Sequence, residues 1–326
     1  MTHIYLIRHA EAEGNLYRIC HGHYNSTLTP QGYRQLRYLR ERFADVPVDA
    51  VYSSDLLRAH TTASAIYLPH QLPVRLMPQL REIFMGGWEK QSWGDLAHAD
   101  FENYSHYNKN PRLWRVEGAE TLPQAQDRLY DALCRIAGEN EGRTVAVASH
   151  GAALRMLLGR LQGLSLEEIG QTPYGCNTAV SLVEWDGQDF RVVFRDDVSH
   201  LPESELRLVR SVHAATGPGL CWKTERRSDR WEMTPVYQER AAGRLALCLG
   251  EDSLSIVDYR IFPEFRGNCL GVQLLGQAIQ IARDNGKETI AMHCPAEFDS
   301  YFRRWGFTGN GGELTLDIRR IMREIP

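Results

Sequence analysis

The sequence predicts an α/β protein: the first 200 or so residues form a doubly wound sheet with helices on both faces, and a smaller α+β unit follows. Three observations carry this expectation. Apolar strand signals alternate with amphipathic helix signals through the first part of the chain. The polar stretch Asp196 to Glu205, with Pro202 inside it, then breaks the pattern and divides the chain into residues 1–202 and 203–326. Finally, 326 residues exceed the usual size of a single core.

Each element has its own signal. Strands are expected near His3 to Ile7, Ala50 to Tyr52, Val74 to Leu76 and Thr144 to Ala148. Thr29 and Pro30 open a helix whose Leu36, Leu39 and Phe43 share one face. Thr121 starts another, with Gln124 completing a capping box and Leu122, Ala125, Leu129, Leu133 and Ile136 turned inward. A third helix follows His150. Ala179 to Trp185 and Phe190 to Phe194 make a hairpin around Asp186 and Gly187. Beyond the break, Arg244 to Leu249 and Ser255 to Phe262 read as adjacent strands. A helix runs from Gly271 to Asn285 and stops at Gly286, a strand takes Thr289 to His293, and a short helix ends at Gly306.

Composition narrows the function classes. Hydrophobic residues make up 43% and charged residues 24%, ordinary for a soluble globular chain. A net charge of -4 supplies no basic field for nucleic acid, while small anions remain acceptable ligands. Seven dispersed cysteines without a Cys-x-x-Cys pair read as reduced thiols, hence a cytoplasmic setting. Arg8 and His9 interrupt the first apolar run too early for a signal peptide, and no stretch approaches the roughly 20 apolar residues of a membrane span.

Chemistry concentrates at the end of the first strand, in LIRHAEAEGN. Arg8 and His9 there join a guanidinium to an imidazole, a pair suited to binding and accepting a phosphoryl group. Arg58 lies near the start of a helix in SSDLLRAHTTA, Glu82 in the glycine-bearing loop LREIFMGGWE, and His150 between a strand and a helix in ASHGAALR. In a parallel sheet His9 and His150 open onto the same carboxyl-end crevice. His21 and His23 flank Gly22, but no carboxylate or cysteine pattern completes four ligands, so no metal is expected.

Together with LTPQG at Leu28 to Gly32, these motifs resemble the histidine phosphatase, or phosphoglycerate mutase-like, superfamily over the first 200 or so residues. The resemblance implies that His9 attacks phosphorus and becomes phosphohistidine, and that Arg8, Arg58 and, if protonated, His150 surround the transferring oxygens. It makes Asn15 and the Gly151 amide further donors, His21 and Gly22 pocket lining, and Glu82 the general acid, with no cofactor. The compact Trp88 to Gly118 loop, with Lys90, Lys109, Arg112 and Arg115 its only Lys or Arg residues, resembles the smaller phosphatases more than the mutases. Hydrolysis of a small phosphorylated metabolite is the expected activity. Mutase-type transfer and a non-enzymatic ligand sensor are the alternatives. Phosphosugars, phosphoglycerate, alpha-ribazole phosphate and nucleotides all stay admissible. Trp88, Trp93, Tyr104, Tyr107 and Trp114 are candidates for stacking on a ring or for packing.

The second part, most clearly Ser255 to Phe307, resembles a GNAT acetyltransferase. Arg266, Gly267, Asn268, Cys269, Leu270 and Gly271 match the loop that would bind acetyl-coenzyme A or coenzyme A at a helix start. Cys269 replaces the loop's middle glycine. Phe302 stands where the family has a tyrosine acid, and Tyr301 is one residue, about 100 degrees, away on a helix. Three readings stay open: coenzyme A binding without efficient transfer, an active acyltransferase making the chain bifunctional, or a structural module supporting a homodimer.

Overall fold

Strand β1, Thr2–Arg8, buries side chains on both faces, Ile4 and Leu6 on one and Ile7 on the other, so its sheet must be covered twice. The computed structural model describes residues 1–206 and 218–319. It divides into two units. The first holds Met1–Ala12, Cys20–Gln91 and the described part of Asp100–Arg210, the second Glu13–Ile19, Ser92–Ala99 and the described part of Ser211–Pro326.

The first unit is an α/β fold with helices on both faces of one sheet. β2 (Ala50–Ser53), β3 (Val74–Leu76), β4 (Thr144–Ser149), β5 (Val180–Trp185) and β6 (Phe190–Asp197) join β1 in the order β3-β2-β4-β1-β5-β6. The first four in that order run parallel, and β5 and β6 are antiparallel additions. β4 repeats the two-sided pattern of β1, with Val145 and Val147 facing one way and Ala146 and Ala148 the other. One face is covered by the helices Leu122–Glu139 and Gly151–Leu161 through Leu129, Leu133, Leu154 and Leu157. The helices Pro30–Phe43 and Leu57–Tyr67 cover the other through Leu36, Leu39, Phe43 and Ile66. Each fully buried leucine contributes roughly 2 kcal/mol of apolar burial.

The expected caps are in place. Thr29 accepts from the Gly32 amide, and Thr121 with Gln124 closes a full capping box. In the β5–β6 turn the Asp186 carboxylate accepts from the Gln188 and Asp189 amides, and Gly187 takes φ 111°. In chain order the helices used below are α1 Glu13–Leu16, α2 Pro30–Phe43, α3 Leu57–Tyr67, α4 Trp93–Ala99, α5 Phe101–Lys109, α6 Leu122–Glu139, α7 Gly151–Leu161, α8 Leu166–Gln171, α9 Gly271–Asp284 and α10 Asp299–Arg304.

The second unit is mostly β-sheet. β7 (Cys221–Arg227), β8 (Arg230–Tyr237), β10 (Gly243–Leu249), β11 (Leu254–Ile261), β12 (Thr289–His293), β13 (Thr308–Asn310) and β14 (Glu313–Asp317) run in the order β13-β14-β12-β11-β10-β8-β7, and the short β9 (Arg240–Ala241) pairs β8. β11 and β12 are its parallel pair. Their ladder spans only Leu254–Ile256 against Ile290–Met292, so β11 continues to Ile261 unpaired with β12. Helix α9 packs Leu274, Leu275, Ala278 and Ile279 against the sheet, and Gly286, at φ 67°, ends it where the sequence placed the stop.

Two pieces of this unit lie outside a contiguous division at Pro202. Leu16, Tyr17 and Ile19 join its core, Tyr17 filling the space a Cβ at Gly276 would take, while Glu13 pairs with Arg283 at 2.9 and 3.1 Å. Ser92 donates to the Leu220 carbonyl, and Asp95 accepts from the Trp222 amide at 2.7 Å. The β7–β8 hairpin was not foreseen, because β7 reads CWKTERR and exposes most of its side chains. Near the boundary, residues 207–217 lie outside the described residues. No helix among the described residues is long and apolar enough to cross a membrane.

Candidate active site

Register places the two histidines. β1 and β4 run parallel with Arg8 opposite Ser149, so the next residues, His9 and His150, leave their strands as neighbours. Their ring centroids are 5.3 Å apart, and both side chains are buried. β2, on the other side of β4, ends at Ser53 and turns through Ser54 into α3, which delivers the fully buried Arg58. The His21 ring stands edge-on to His9 at 5.8 Å.

His9 is set up as a nucleophile. Its Nδ1 lies 2.7 Å from the Ala10 carbonyl, which can only accept, so the ring proton sits on Nδ1 and Nε2 keeps its lone pair. Burial, reinforced by the charges of Arg58 and Arg8, pushes His9 well below the ordinary histidine range. The same two causes, burial first and Arg58 second, push His150 well below it too. Of the two protonation states open to His150, the neutral one is favoured, because burial and the Arg58 charge both oppose a second cation there.

The cations are fixed by their outer nitrogens and keep an inner one unpaired. Arg58 Nη1 donates to the Tyr24 carbonyl at 3.0 Å, and Nη2 donates to those of His21 and Gly22, each at 2.8 Å. Burial lowers it to about 10, still cationic at neutral pH. Arg8 Nη1 donates to the Gly175 carbonyl. Arg8 Nε, Arg58 Nε and His150 Nδ1 are buried without a protein hydrogen-bond partner. Such nitrogens around an imidazole lone pair suit an oxyanion whose central atom is attacked by His9.

Four motif carboxylates separate by their partners. Glu89 accepts from the amides of His23, Tyr24 and Met85 at 2.7, 2.9 and 3.1 Å, so it builds the loop that Arg58 holds. Glu13 belongs to the second unit with Arg283. Glu11 is buried against the Thr29 hydroxyl, which donates to it at 2.6 Å. Glu82 accepts from Ala152 and Ala153, at 3.1 and 2.7 Å, at the start of α7, and its charge reaches both Arg8 and Arg58.

Burial lifts Glu11 from 4.5 to about 7, which gives a stability prediction. A carboxyl with a raised folded value stabilises fully below its unfolded value, and that contribution is lost as pH rises through the folded one. The loss reaches at most about 3 kcal/mol. Glu11→Gln keeps an acceptor for Thr29 and removes the titration. Its melting temperature relative to wild type is expected to rise between pH 5 and about pH 8. A constant difference across that range would contradict this.

Two predicted glycines have steric roles. A Cβ on Gly22 would overlap Glu89 Oε1 and the Ile83 carbonyl, so its smallness serves loop packing, while its carbonyl receives Arg58. A Cβ on Gly151 would lie 3.0 Å from Arg8 Nε. Gly151→Ala should lower kcat/KM roughly 10- to 100-fold by displacing Arg8, with a melting point no higher than wild type because the hydrogen-bonded guanidinium must give way. Unchanged kinetics would remove Arg8 placement from the account.

Asn15 lies half-buried in α1, within the second unit. His21 Nδ1 contacts Ser26 Oγ at 2.8 Å and His23 Nε2 donates to the Glu82 carbonyl at 2.9 Å, so the two rings serve different partners. Trp88, Tyr107 and Trp114 are buried and pack on one another with centroids 5.3 to 6.1 Å apart. Sequence reasoning missed Ser54, 2.8 Å from His150 Nε2, Asn177, which donates to the His9 carbonyl at 3.0 Å, and Thr62, which bridges the Ala10 amide to the Arg58 carbonyl. Single hydrogen bonds from common polar residues leave no spacing to read.

In the second unit Gly267 and Cys269 take φ 81° and 54°, so Cys269 follows a left-handed path that normally favours glycine. Arg266 donates to the Ile261 carbonyl and Asn268 to that of Phe265, Leu270 is buried, and Gly271 starts α9. Phe302 is in the core. The Tyr301 hydroxyl lies 3.4 Å from that of Tyr259, which donates to the Gly271 carbonyl.

Comparison with known proteins agrees with the first unit. Residues 4–198 match the model of the histidine phosphatase superfamily, branch 1. An adenosylcobalamin/alpha-ribazole phosphatase of Escherichia coli is 30% identical over 181 residues, 55% of this chain and 89% of the relative. A metal-independent phosphoserine phosphatase of Arabidopsis thaliana is 33% identical over 208 residues, 62% of this chain and 84% of its own length. Among solved structures, Bacillus stearothermophilus YhfR superposes with a TM-score of 0.59 at 31% identity, covering 61% of this chain and 99% of that one.

Proposed function

The chain belongs to the histidine phosphatase superfamily, and from that membership we propose that it hydrolyses phosphomonoesters of small metabolites through a phosphohistidine on His9. The observation that carries this reading is the cross-strand pairing of Arg8 with Ser149, which sets His9 beside His150 among three unpartnered buried nitrogens. His9 Nε2 attacks phosphorus as the P–O bond to the leaving group breaks. Arg8 and Arg58 hold the charge that builds on the phosphoryl oxygens. Glu82, anchored at the start of α7, gives a proton to the departing alkoxide and later takes one from the water that releases phosphate.

The relatives guide the choice of substrates. Alpha-ribazole phosphate and phosphoserine come first, because the relatives above are named for them, followed by 3-phosphoglycerate. Incubating the full chain with each ester in chelator, and measuring released phosphate, tests the proposal. Release of phosphate supports hydrolysis. Phosphoryl exchange between phosphoglycerates without release would favour the mutase reading, to which a 29% identical probable phosphoglycerate mutase of Salmonella choleraesuis belongs.

For the second unit we propose a GNAT-like fold that holds coenzyme A at the start of α9. The short parallel ladder of β11 and β12, and the left-handed turn through Gly267 and Cys269 into α9, support it. With Phe302 in the core, binding without efficient acyl transfer is favoured over an acetyltransferase. Thermal-shift titration with acetyl-coenzyme A tests this: no shift at millimolar ligand would contradict it. These domains, their cytoplasmic setting and the absence of a cofactor in the first unit form one proposal with the phosphatase reading.

A further inference from the structure

The His150 imidazole has two polar edges, and one of them is partnered. Nε2 lies 2.8 Å from Ser54 Oγ, whereas Nδ1 is buried and has no hydrogen-bond partner in the protein. Both residues are fully buried. The pairing follows from the sheet. Ser53 is in register with Ala148, the Ser54 amide donates to the Ala148 carbonyl at 2.9 Å, and Ser54 therefore leaves β2 alongside the end of β4, from which His150 emerges.

The direction of this hydrogen bond can be worked out from what else Ser54 does. Its oxygen accepts from the Leu56 amide at 3.2 Å. Among the described residues, His150 Nε2 is the acceptor in reach of its hydroxyl proton. If Nε2 carried the ring proton instead, Ser54 would accept twice and its own proton would be buried without a partner, a costly arrangement. Burial and the Arg58 charge disfavour the doubly protonated ring. One proton is therefore left to place, and Ser54 directs it to Nδ1.

We propose that Ser54 is a positioning residue for the reaction at His9: by donating to His150 Nε2 it fixes the His150 proton on Nδ1, which then donates to a phosphoryl oxygen of the substrate. The proposal rests on the phosphohistidine reading of this site. It makes His150 a neutral donor working beside Arg8 Nε and Arg58 Nε, the two other unpartnered nitrogens of the cluster. Ser54 never touches the reacting atoms. Without it the imidazole is free to exchange tautomers, and only part of the population presents a proton to the substrate.

The test reads the tautomer directly in the full chain, by long-range proton–nitrogen NMR on protein labelled in its histidine rings, with His150→Gln identifying the signal. Wild type is expected to carry the proton on Nδ1. Ser54→Ala is expected to show a mixture of tautomers and a kcat about tenfold lower, the worth of one neutral hydrogen bond, with KM nearly unchanged. Loss of the Leu56 contact alone would not move the tautomer. A proton on Nε2 in wild type overturns the proposal, and so does a Ser54→Ala protein that keeps the Nδ1 tautomer, whatever its rate. If Ser54→Ala does not fold, the wild-type tautomer alone decides. Equal rates for wild type and His9→Ala overturn the phosphohistidine reading, and with it the assignment of Ser54 to catalysis.

Discussion

His9→Ala is expected to lower kcat/KM for phosphomonoester hydrolysis by at least about 10⁴-fold while the protein stays folded, the scale seen when a covalent nucleophile is removed. The fold should survive because the His9 backbone is held independently of its ring. Its amide donates to the Ser149 carbonyl at 3.0 Å, and its carbonyl accepts from Asn177. Deleting the ring leaves the Ala10 carbonyl without its 2.7 Å donor, a cost of about 1 kcal/mol. The neighbouring His150 has its Nε2 occupied by Ser54. Kinetics on the purified variant, with a melting curve beside them, check both halves. A folded variant within tenfold of wild type would remove His9 as nucleophile.

The second large effect is expected at Arg58. Arg58→Ala should lower kcat/KM by about 10³-fold, and Arg58→Lys should recover little of it. The reason lies in the double duty of the guanidinium. Its Nη atoms satisfy three carbonyls of the 21–24 loop, its Nε is buried and unpaired, and its charge acts on both His9 and His150. A lysine ammonium reaches one such point and cannot hold the loop and the oxyanion together. Burial also makes this position structural, so a lower melting temperature is expected with the lost activity. Lys-level rescue to near wild-type rates would show that charge alone matters.

Much of this was legible because charged residues at strand ends are conspicuous. Arg8, His9, Arg58, Glu82 and His150 stand out in apolar surroundings, and two parallel strands with residues of one type at their ends imply a shared crevice. Thr121 and Gln124 spelled out a cap that formed as written. The illegible part depends on distant partners. Leu16, Tyr17 and Ile19 are visibly apolar, but nothing local says that they join the second unit, and Glu13 finds Arg283 at a separation of 270 residues. Glu82 and Glu89 share one motif and differ only in the amides that they meet. The protonation state of His150 is not legible in the sequence, because it depends on burial beside Arg58, which spacing does not give.

The central claim is a covalent bond between phosphorus and His9 Nε2, and rapid quenching tests it most directly. Wild-type protein mixed with a hydrolysed ester, stopped in alkali and examined by mass spectrometry, should carry one phosphoryl group on the peptide that contains His9. That group should be lost in acid, as expected of a phosphohistidine, and absent from His9→Ala. Steady hydrolysis with no phosphoryl group on that peptide at any quench time, or with the label on another residue, would contradict the account.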